Sequence, residues 1–232
     1  MWRRPALWGL LAWLCAGPAS AEGISLSPVT VVLRPGEQAA TVWLTNRSGE
    51  VFEGVAEVYG WRQEAGDERL DPTPQMAVSP QRLVVPPGGR QRLRIVVPED
   101  YLAREEGAGE LSFRLIVEQK AGEAGEAIQY SLPVFVMPPG QEPPRLIASV
   151  ERAGDHVRLR IHNEGEFHVK LVDLACQPPG KPKQMLVPDL AGYVLPGSYK
   201  AWELPGTASE LRDDCIRVLA NGVPVNVVLT DP

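Results

Sequence analysis

Hydrophobic and polar residues alternate along most of the chain between Ile24 and Pro138. A period of two is typical of β-strands that bury one face. Turns rich in Gly and Pro separate the candidate strands, which read in order ISLSPVTVVL, AATVWLTN, VFEGVAEVYGW, MAVSPQRLVV, RQRLRIVV, LSFRLIVEQ and AIQYSLPVFVMP. Seven or so short strands in about 115 residues predict an immunoglobulin-like β-sandwich.

A proline-rich stretch, PPGQEPP at 138–144, interrupts this pattern and predicts a stiff linker. The alternation then resumes in RLIASVE, HVRLRIHN, FHVKLVDLAC, YVLPGSYKAWEL, CIRVLANG and VPVNVVLT. We therefore expect an all-β protein of two immunoglobulin-like β-sandwich domains, one over 22–138 and one over 145–232, joined by a linker at 139–144.

The stretch AIQYSLPVFVMPPG at 127–140 is unusual for a strand of a soluble protein. One of its faces carries only aliphatic or aromatic side chains, which are Ile128, Tyr130, Leu132, Val134 and Val136. Pro133 cannot donate a ladder hydrogen bond, so we place this strand at the edge of its sheet. A long apolar edge strand is open to pairing with another chain, including a second copy of this protein.

The first 21 residues have the three parts of a secretory signal peptide. MWRR is basic, ALWGLLAWLCA is apolar but too short for a membrane span, and ASA precedes an expected cleavage between Ala21 and Glu22. Cleavage removes Arg3 and Arg4 and so lowers the net charge from −6 to −8. We expect a periplasmic protein that does not insert into the membrane, and its acidity disfavours nucleic acid as a partner.

Two cysteines, Cys176 and Cys215, remain after Cys15 leaves with the signal peptide. An even pair in an oxidising compartment predicts a disulfide. Cys176 ends one candidate strand of the second domain and Cys215 begins another, so we expect their bond to staple that domain.

Candidate chemistry is sparse. His156, His162 and His168 lie close together in the sequence, and His162 and His168 could meet across adjoining strands as part of a metal site. No His–Cys cluster of recognised spacing accompanies them, and solvent-facing strand histidines explain them better. NRS at 46–48 fits a glycosylation sequon and equally a tight turn. Since no catalytic group of residues is found, we expect a protein that is not an enzyme and that needs no cofactor.

Three segments resemble the periplasmic pilus or fimbrial assembly chaperones of the chaperone–usher pathway. MAVSPQRLVVPPGGRQRLRI is similar to a signature of that family, SLPVFVMP resembles its seventh strand in the form of the archaic branch, and VWLTN resembles its second strand. The resemblance implies two domains in a bent, L-shaped arrangement. It also implies two partners, which are pilin or fimbrial subunits that lack their last strand and an outer-membrane usher that receives them.

The resemblance further implies which residues bind a subunit. The seventh strand would complete the subunit's sandwich by donor-strand complementation, with Ile128, Tyr130 and Leu132 as donor side chains. Many family members hold the subunit's terminal carboxylate with two basic residues, whose positions here fall near Thr30 and Pro133. Neither residue is basic, so we consider other arginines on strands that could line the interdomain cleft as the anchor, namely Arg92, Arg94 and Arg114.

Two other functions remain alternatives. An exported immunoglobulin-like adhesion or scaffold module without chaperone activity would self-associate or keep a fixed surface partner. A small metal-binding protein would use His162 and His168, and it would carry bound metal when purified.

Overall fold

β-strands dominate the described part of the chain. The computed structural model describes residues 23–99, 109–120, 128–140, 142–153, 156–204 and 215–229, so the predicted signal peptide lies outside it. Seventeen strands lie within these residues: β1 (Ile24–Ser27), β2 (Val31–Leu33), β3 (Ala39–Asn46), β4 (Phe52–Glu64), β5 (Asp67–Pro72), β6 (Ala77–Ser79), β7 (Arg82–Val85), β8 (Arg90–Val96), β9 (Leu111–Gln119), β10 (Gln129–Val136), β11 (Leu146–Ala153), β12 (His156–Asn163), β13 (Val169–Cys176), β14 (Gln184–Val194), β15 (Tyr199–Leu204), β16 (Ile216–Ala220) and β17 (Val223–Leu229).

The strands β1 to β10 form two sheets that enclose one core. The first sheet has the order β1-β3-β8-β6, and the second has the order β2-β10-β9-β4-β5, with β7 also paired to β4. Alternate side chains of both sheets point inwards, and Phe52, Leu93 and Phe113 are among the fully buried ones. This arrangement is the β-sandwich that the alternation predicted.

The strands β11 to β17 form one continuous sheet with the order β14-β13-β16-β17-β11-β12-β15. β17 joins its halves, since it pairs antiparallel with β16 and parallel with β11. The two ends of the sheet meet, because Trp202 Nε1 on β15 donates to the carbonyl oxygen of Ala191 on β14 at 3.2 Å. Two immunoglobulin-like sandwich domains are thereby confirmed, whereas the residue limits given above for domains and linker stay predictions.

A buried asparagine holds the turn after β3. Asn46 Nδ2 donates to the carbonyl oxygens of Glu50 at 2.7 Å and Val85 at 2.9 Å. The Ser48 N–H donates in turn to Asn46 Oδ1 at 3.0 Å. Because the Asn46 amide is inaccessible and fully engaged, NRS at 46–48 is a turn and not a glycosylation site.

In the second domain, a buried asparagine likewise holds the turn after β12. Asn163 Nδ2 donates to the carbonyl oxygens of Phe167 at 2.7 Å and Val194 at 3.1 Å. The Gly165 N–H donates to Asn163 Oδ1 at 3.0 Å. Both asparagines end a strand and satisfy the backbone of the same kind of turn, which is consistent with a common fold for the two domains.

Cys176 and Cys215 are joined by a disulfide, as predicted. Cys176 is the last residue of β13, and Cys215 directly precedes β16, the antiparallel neighbour of β13. The Gln177 N–H donates to the Cys215 carbonyl oxygen at 2.7 Å. Both cysteines are buried in the core of the second domain, so the bond joins two strands that already pair.

Candidate functional site

Among the described strands, β10 has a partner along only part of one of its two sides. On the other side it pairs antiparallel with β9 over its whole length. Within the described residues, the incompletely paired side meets only β2, which pairs in parallel with Val134–Val136. Pro133, which has no N–H to donate, directly precedes this second pairing. The predicted edge position is therefore correct for the N-terminal part of β10 and wrong for Val134–Val136, because the short strand β2 covers them.

The three predicted donor side chains differ in exposure, because burial increases along β10. Ile128, just before the strand, is 49% exposed. Tyr130 is half-buried at the margin of the first-domain core. Leu132 is 5% exposed and belongs to that core. The donor assignment stays a prediction, and Ile128 and Tyr130 are its accessible side chains.

Phe135, which is fully buried, packs outside the first-domain core, in a cluster with second-domain residues. Its ring lies 5.9 Å from the rings of Trp61 and Tyr193, measured between centroids. Together with Leu195 these residues form a buried group that we call the junction cluster (Trp61, Phe135, Tyr193 and Leu195). Tyr193 lies on β14 and Leu195 directly follows it, so β10 contacts both domains.

The hairpin of β4 and β5 reaches across to the second domain. Gln63 Nε2 donates to the Tyr193 carbonyl oxygen, and Gln63 Oε1 accepts from the Leu195 N–H, both at 2.9 Å. At the hairpin turn, Gly66 has a φ of +88°, and a Cβ there would lie 2.9 Å from the Tyr199 ring. Glycine suits this turn for both its backbone conformation and its close approach to the second domain.

Glu110 and His168 also join the two domains. Glu110 Oε2 lies 2.6 Å from His168 Nδ1, and both Glu110 oxygens accept from the His168 N–H at 3.2 Å. The His168 ring stacks on Phe135, with 3.4 Å between the centroids. Because the His168 side chain is only 13% exposed, the prediction of a solvent-facing histidine is wrong at this position.

His162 and His168 have different surroundings. The His162 ring lies 4.8 Å from the Tyr199 ring, whereas His168 contacts Glu110 and Phe135. Among the residues that the structure describes, no group of three or more His, Cys, Asp or Glu side chains is arranged to hold a metal ion.

Arg114 is the one predicted anchor arginine that lies at the junction cluster. Its guanidinium carbon is 3.7 Å from the centre of the Trp61 ring, and its side chain is 11% exposed. Burial lowers the pKa of Arg114, and the Glu68 carboxylate opposes that shift. Arg92 and Arg94 are instead exposed on β8, in the other sheet of the first domain.

Arg114 pairs with one of the two positions that the resemblance marked, and Tyr193 lies between it and the other. Its Cα partner on β10 is Pro133. Thr30 Oγ1 is 3.3 Å from the hydroxyl of Tyr193, whose ring is 5.9 Å from the Arg114 guanidinium. Arg114 therefore lies on the strand next to β10, opposite one of the two positions, and its role as a carboxylate anchor stays a prediction.

A second cation, Lys200 on β15, approaches the same place from the second domain. Lys200 Nζ lies 3.8 Å from Glu68 Oε1, and an Arg114 amino nitrogen donates to Glu68 Oε2 at 3.2 Å. Gly192 makes room for it, because a Cβ there would lie 2.7 Å from Lys200 Cε. Sequence reasoning missed Lys200, since no local pattern shows that β15 meets the first domain at this point. We refer to Arg114 and Lys200 as the cleft cations.

Comparison with known proteins identifies the family. A family model described as "Pili and flagellar-assembly chaperone, PapD N-terminal domain" matches residues 23–142. The chain belongs to this family. The resemblance carried by the three segments is therefore confirmed, and the family is one of assembly chaperones and not of enzymes.

Solved structures of pilus chaperones share the fold of this family member. A chain of the CsuC–CsuE chaperone–tip adhesion subunit pre-assembly complex, from the archaic chaperone–usher Csu pili of Acinetobacter baumannii, is 20% identical with a TM-score of 0.68, over 90% of this chain and 99% of that one. The E. coli chaperone DraB is 18% identical with a TM-score of 0.58, over 90% and 97% of the two chains. The Pseudomonas aeruginosa CupB2 chaperone is 16% identical with a TM-score of 0.58, over 89% and 100%.

A comparison with curated proteins finds no match. In the described residues, no helix has the length and hydrophobicity that crossing a membrane requires.

Proposed function

We propose that this chain is a periplasmic chaperone of the archaic chaperone–usher branch, which captures pilus or fimbrial subunits and delivers them to an outer-membrane usher. The observation that carries the proposal is the free side of β10 from Gln129 to Pro133, within the described residues. Unpaired backbone N–H and C=O groups along a strand are suited to receive a strand of another chain. Membership of the family supports a subunit as the partner.

Capture uses the N-terminal part of β10 as a donated strand. Its backbone groups bind any strand of suitable shape, while alternate side chains select the groove that receives them. Ile128 and Tyr130 are accessible, and as residues two apart they lie on the same face of the strand. Both side chains therefore enter the groove of the subunit. Each apolar side chain buried in this way contributes about 1.5–3 kcal/mol. Leu132, buried in the chaperone itself, holds the base of the donor segment in place.

The cleft cations hold the terminal carboxylate of the subunit. Arg114 lies beside Pro133 on the neighbouring strand, so a carboxylate that it binds is close to the donor segment. A guanidinium binds a carboxylate with two parallel hydrogen bonds, and its partial burial strengthens that contact. Lys200 adds a second positive charge, and the hydroxyl groups of Thr30 and Tyr193 lie near the same ring cluster. This contact fixes the register of the subunit strand against β10.

Delivery to the usher requires no cofactor. The free energy of transfer comes from replacing β10 by a better-fitting strand of the next subunit. A short donor segment with two accessible side chains favours such exchange, because fewer buried contacts must be given up.

The test is capture of a subunit in the periplasm. The full chain is co-expressed with candidate subunits encoded near its gene, and complexes are purified from periplasmic extract. We expect a stable complex of one chaperone with one subunit, and loss of subunit solubility when the chaperone is omitted. A chain that purifies without subunits and only as its own dimer would contradict the proposal and favour the adhesion or scaffold module.

A further inference from the structure

Glu68 is already paired with both cleft cations. One of its oxygens accepts from Arg114 at 3.2 Å, and the other lies 3.8 Å from Lys200 Nζ. A single carboxylate therefore bridges a cation of the first domain and a cation of the second. This is the arrangement that the terminal carboxylate of a subunit would adopt at the same two groups.

The β4–β5 hairpin positions Glu68 for this contact. Glu68 is the Cα partner of Gln63, whose side chain holds the backbone of the second domain. Gly66, at the turn, leaves space that the ring of Tyr199 fills, since a Cβ there would lie 2.9 Å from that ring, and Tyr199 directly precedes Lys200. Other charged side chains of the hairpin, such as Arg62 with Asp71, pair within the hairpin itself. Glu68 instead reaches out to cations on two other elements.

Burial explains why an internal carboxylate is useful at this place. The Arg114 side chain is 11% exposed, and a charge so placed without a counterion is strongly unfavourable. Glu68 supplies that counterion, yet its own side chain is 38% exposed and lies on the edge strand β5, all of whose residues are exposed. The carboxylate can therefore turn away into solvent at little cost when another anion takes its place.

We propose that Glu68 is a place-holder for the subunit carboxylate. It pairs with Arg114 and Lys200 in the free chaperone and is displaced when a subunit binds, so the cations have a partner in both states. This inference rests on the proposed function, since it assumes that the cleft cations bind a terminal carboxylate. On this proposal, Glu68 competes with the carboxylate of any ligand for Arg114 and Lys200, and so weakens the binding of that ligand.

A carboxylate probe tests the inference without an identified subunit. The probe is the tetrapeptide N-acetyl-Thr-Val-Thr-Phe with a free carboxylate, compared with its C-terminal amide. The mature chain is titrated with each peptide, and the indole N–H resonance of Trp61 reports binding, because Arg114 lies over its ring. Thermal unfolding of each variant shows that it is folded before titration.

Glu68→Gln removes the competing charge and keeps the shape of the side chain. We expect it to bind the free carboxylate roughly two- to five-fold more tightly than the wild type, the range for a partly exposed ion pair, with no change for the amide. Glu118→Gln is the matched control, because it removes the same charge from β9 at an exposed position opposite Gln129. Arg114→Gln should lose most of the preference for the carboxylate over the amide, since only Lys200 then remains to bind it.

The results separate the inference from the proposed function. If Glu68→Gln binds the carboxylate as the wild type does, while Arg114→Gln loses most of the preference, the place-holder is wrong and the anchor stands. If no variant prefers the carboxylate over the amide, both the anchor and the place-holder are wrong. Equal gains for Glu68→Gln and Glu118→Gln would reduce the effect to overall charge and would also overturn the place-holder.

Discussion

Glu110 Oε2 lies 2.6 Å from His168 Nδ1, and this contact joins the first domain to the second. The Glu110 side chain is fully buried, and the same carboxylate also accepts from the His168 backbone N–H. The imidazole ring stacks on Phe135, which lies on β10, the proposed donor strand. The position of β10 is therefore tied to the packing of the two domains against each other.

The first prediction concerns this contact. His168→Ala removes the imidazole that pairs with the buried Glu110 carboxylate, and it uncovers one face of Phe135. We expect the free energy of unfolding to fall by about 1–3 kcal/mol, measured by urea denaturation followed by tryptophan fluorescence. His162→Ala is the control, since that ring contacts Tyr199 and no buried carboxylate is among its described contacts. An equal loss in both variants would contradict a special role for the Glu110 contact.

The second prediction concerns the donor strand. Replacing Ile128 and Tyr130 by Asp should leave the chaperone folded, because Ile128 is 49% exposed and Tyr130 is half-buried. Subunit capture should fall by roughly tenfold or more, because two unpaired charges would enter an apolar groove. Thermal unfolding and co-purification of subunit measure the two effects. Retention of subunit at the wild-type level, or unfolding of the variant, would show that these side chains are not donors.

The matched control lies further along the same strand. Val134 and Phe135 are completely buried, in the first-domain core and in the junction cluster. Replacing both by Asp should unfold the protein, at a cost of about 3 kcal/mol or more. The two double variants therefore separate binding from stability within a single strand.

The third prediction concerns the disulfide of Cys176 and Cys215. Labelling of the denatured, unreduced mature protein should find no free thiol, and labelling after reduction should find both. The bond spans 39 residues of sequence, so the double replacement Cys176→Ser with Cys215→Ser should lower the free energy of unfolding by about 3–4 kcal/mol. Two reactive thiols in the unreduced protein would disprove the bond.

The fourth prediction concerns pH. Burial raises the pKa of the Tyr130 phenol above its usual value of 10.0, because the charged phenolate is poorly solvated there. The neutral phenol therefore contributes its full stability below pH 10, and this contribution is lost as the pH rises through the raised pKa of the folded protein. The difference in tyrosinate absorbance between the wild type and Tyr130→Phe should have a midpoint above 10.0. A midpoint at or below that value would contradict the partial burial of Tyr130.

Local patterns in the sequence predicted most of the strands and several of their relations, but they missed β5 and most of β14. Alternation alone predicts inward side chains such as Phe52 and Phe113, because a strand shows successive residues to opposite faces. Pro133 marks the free part of β10, because it lacks the N–H that a ladder needs. The pairing of Cys176 with Cys215 follows from their number and the predicted compartment. Each of these inferences uses only the residue types and their order along the chain.

The tertiary structure decided which residues meet between the domains. Arg92, Arg94 and Arg114 all lie on strands of similar alternating pattern, yet only Arg114 is packed on Trp61 and Tyr193. Lys200 meets Glu68, and His168 meets Glu110, although the residues of each pair are far apart along the chain. The packing of the second domain against the first brings them together. A period of two determines which face of a strand a residue occupies, but not what packs on that face. Contacts between elements distant in sequence depend on how whole sheets pack. That packing is what brings Arg114, Lys200 and Glu68 together.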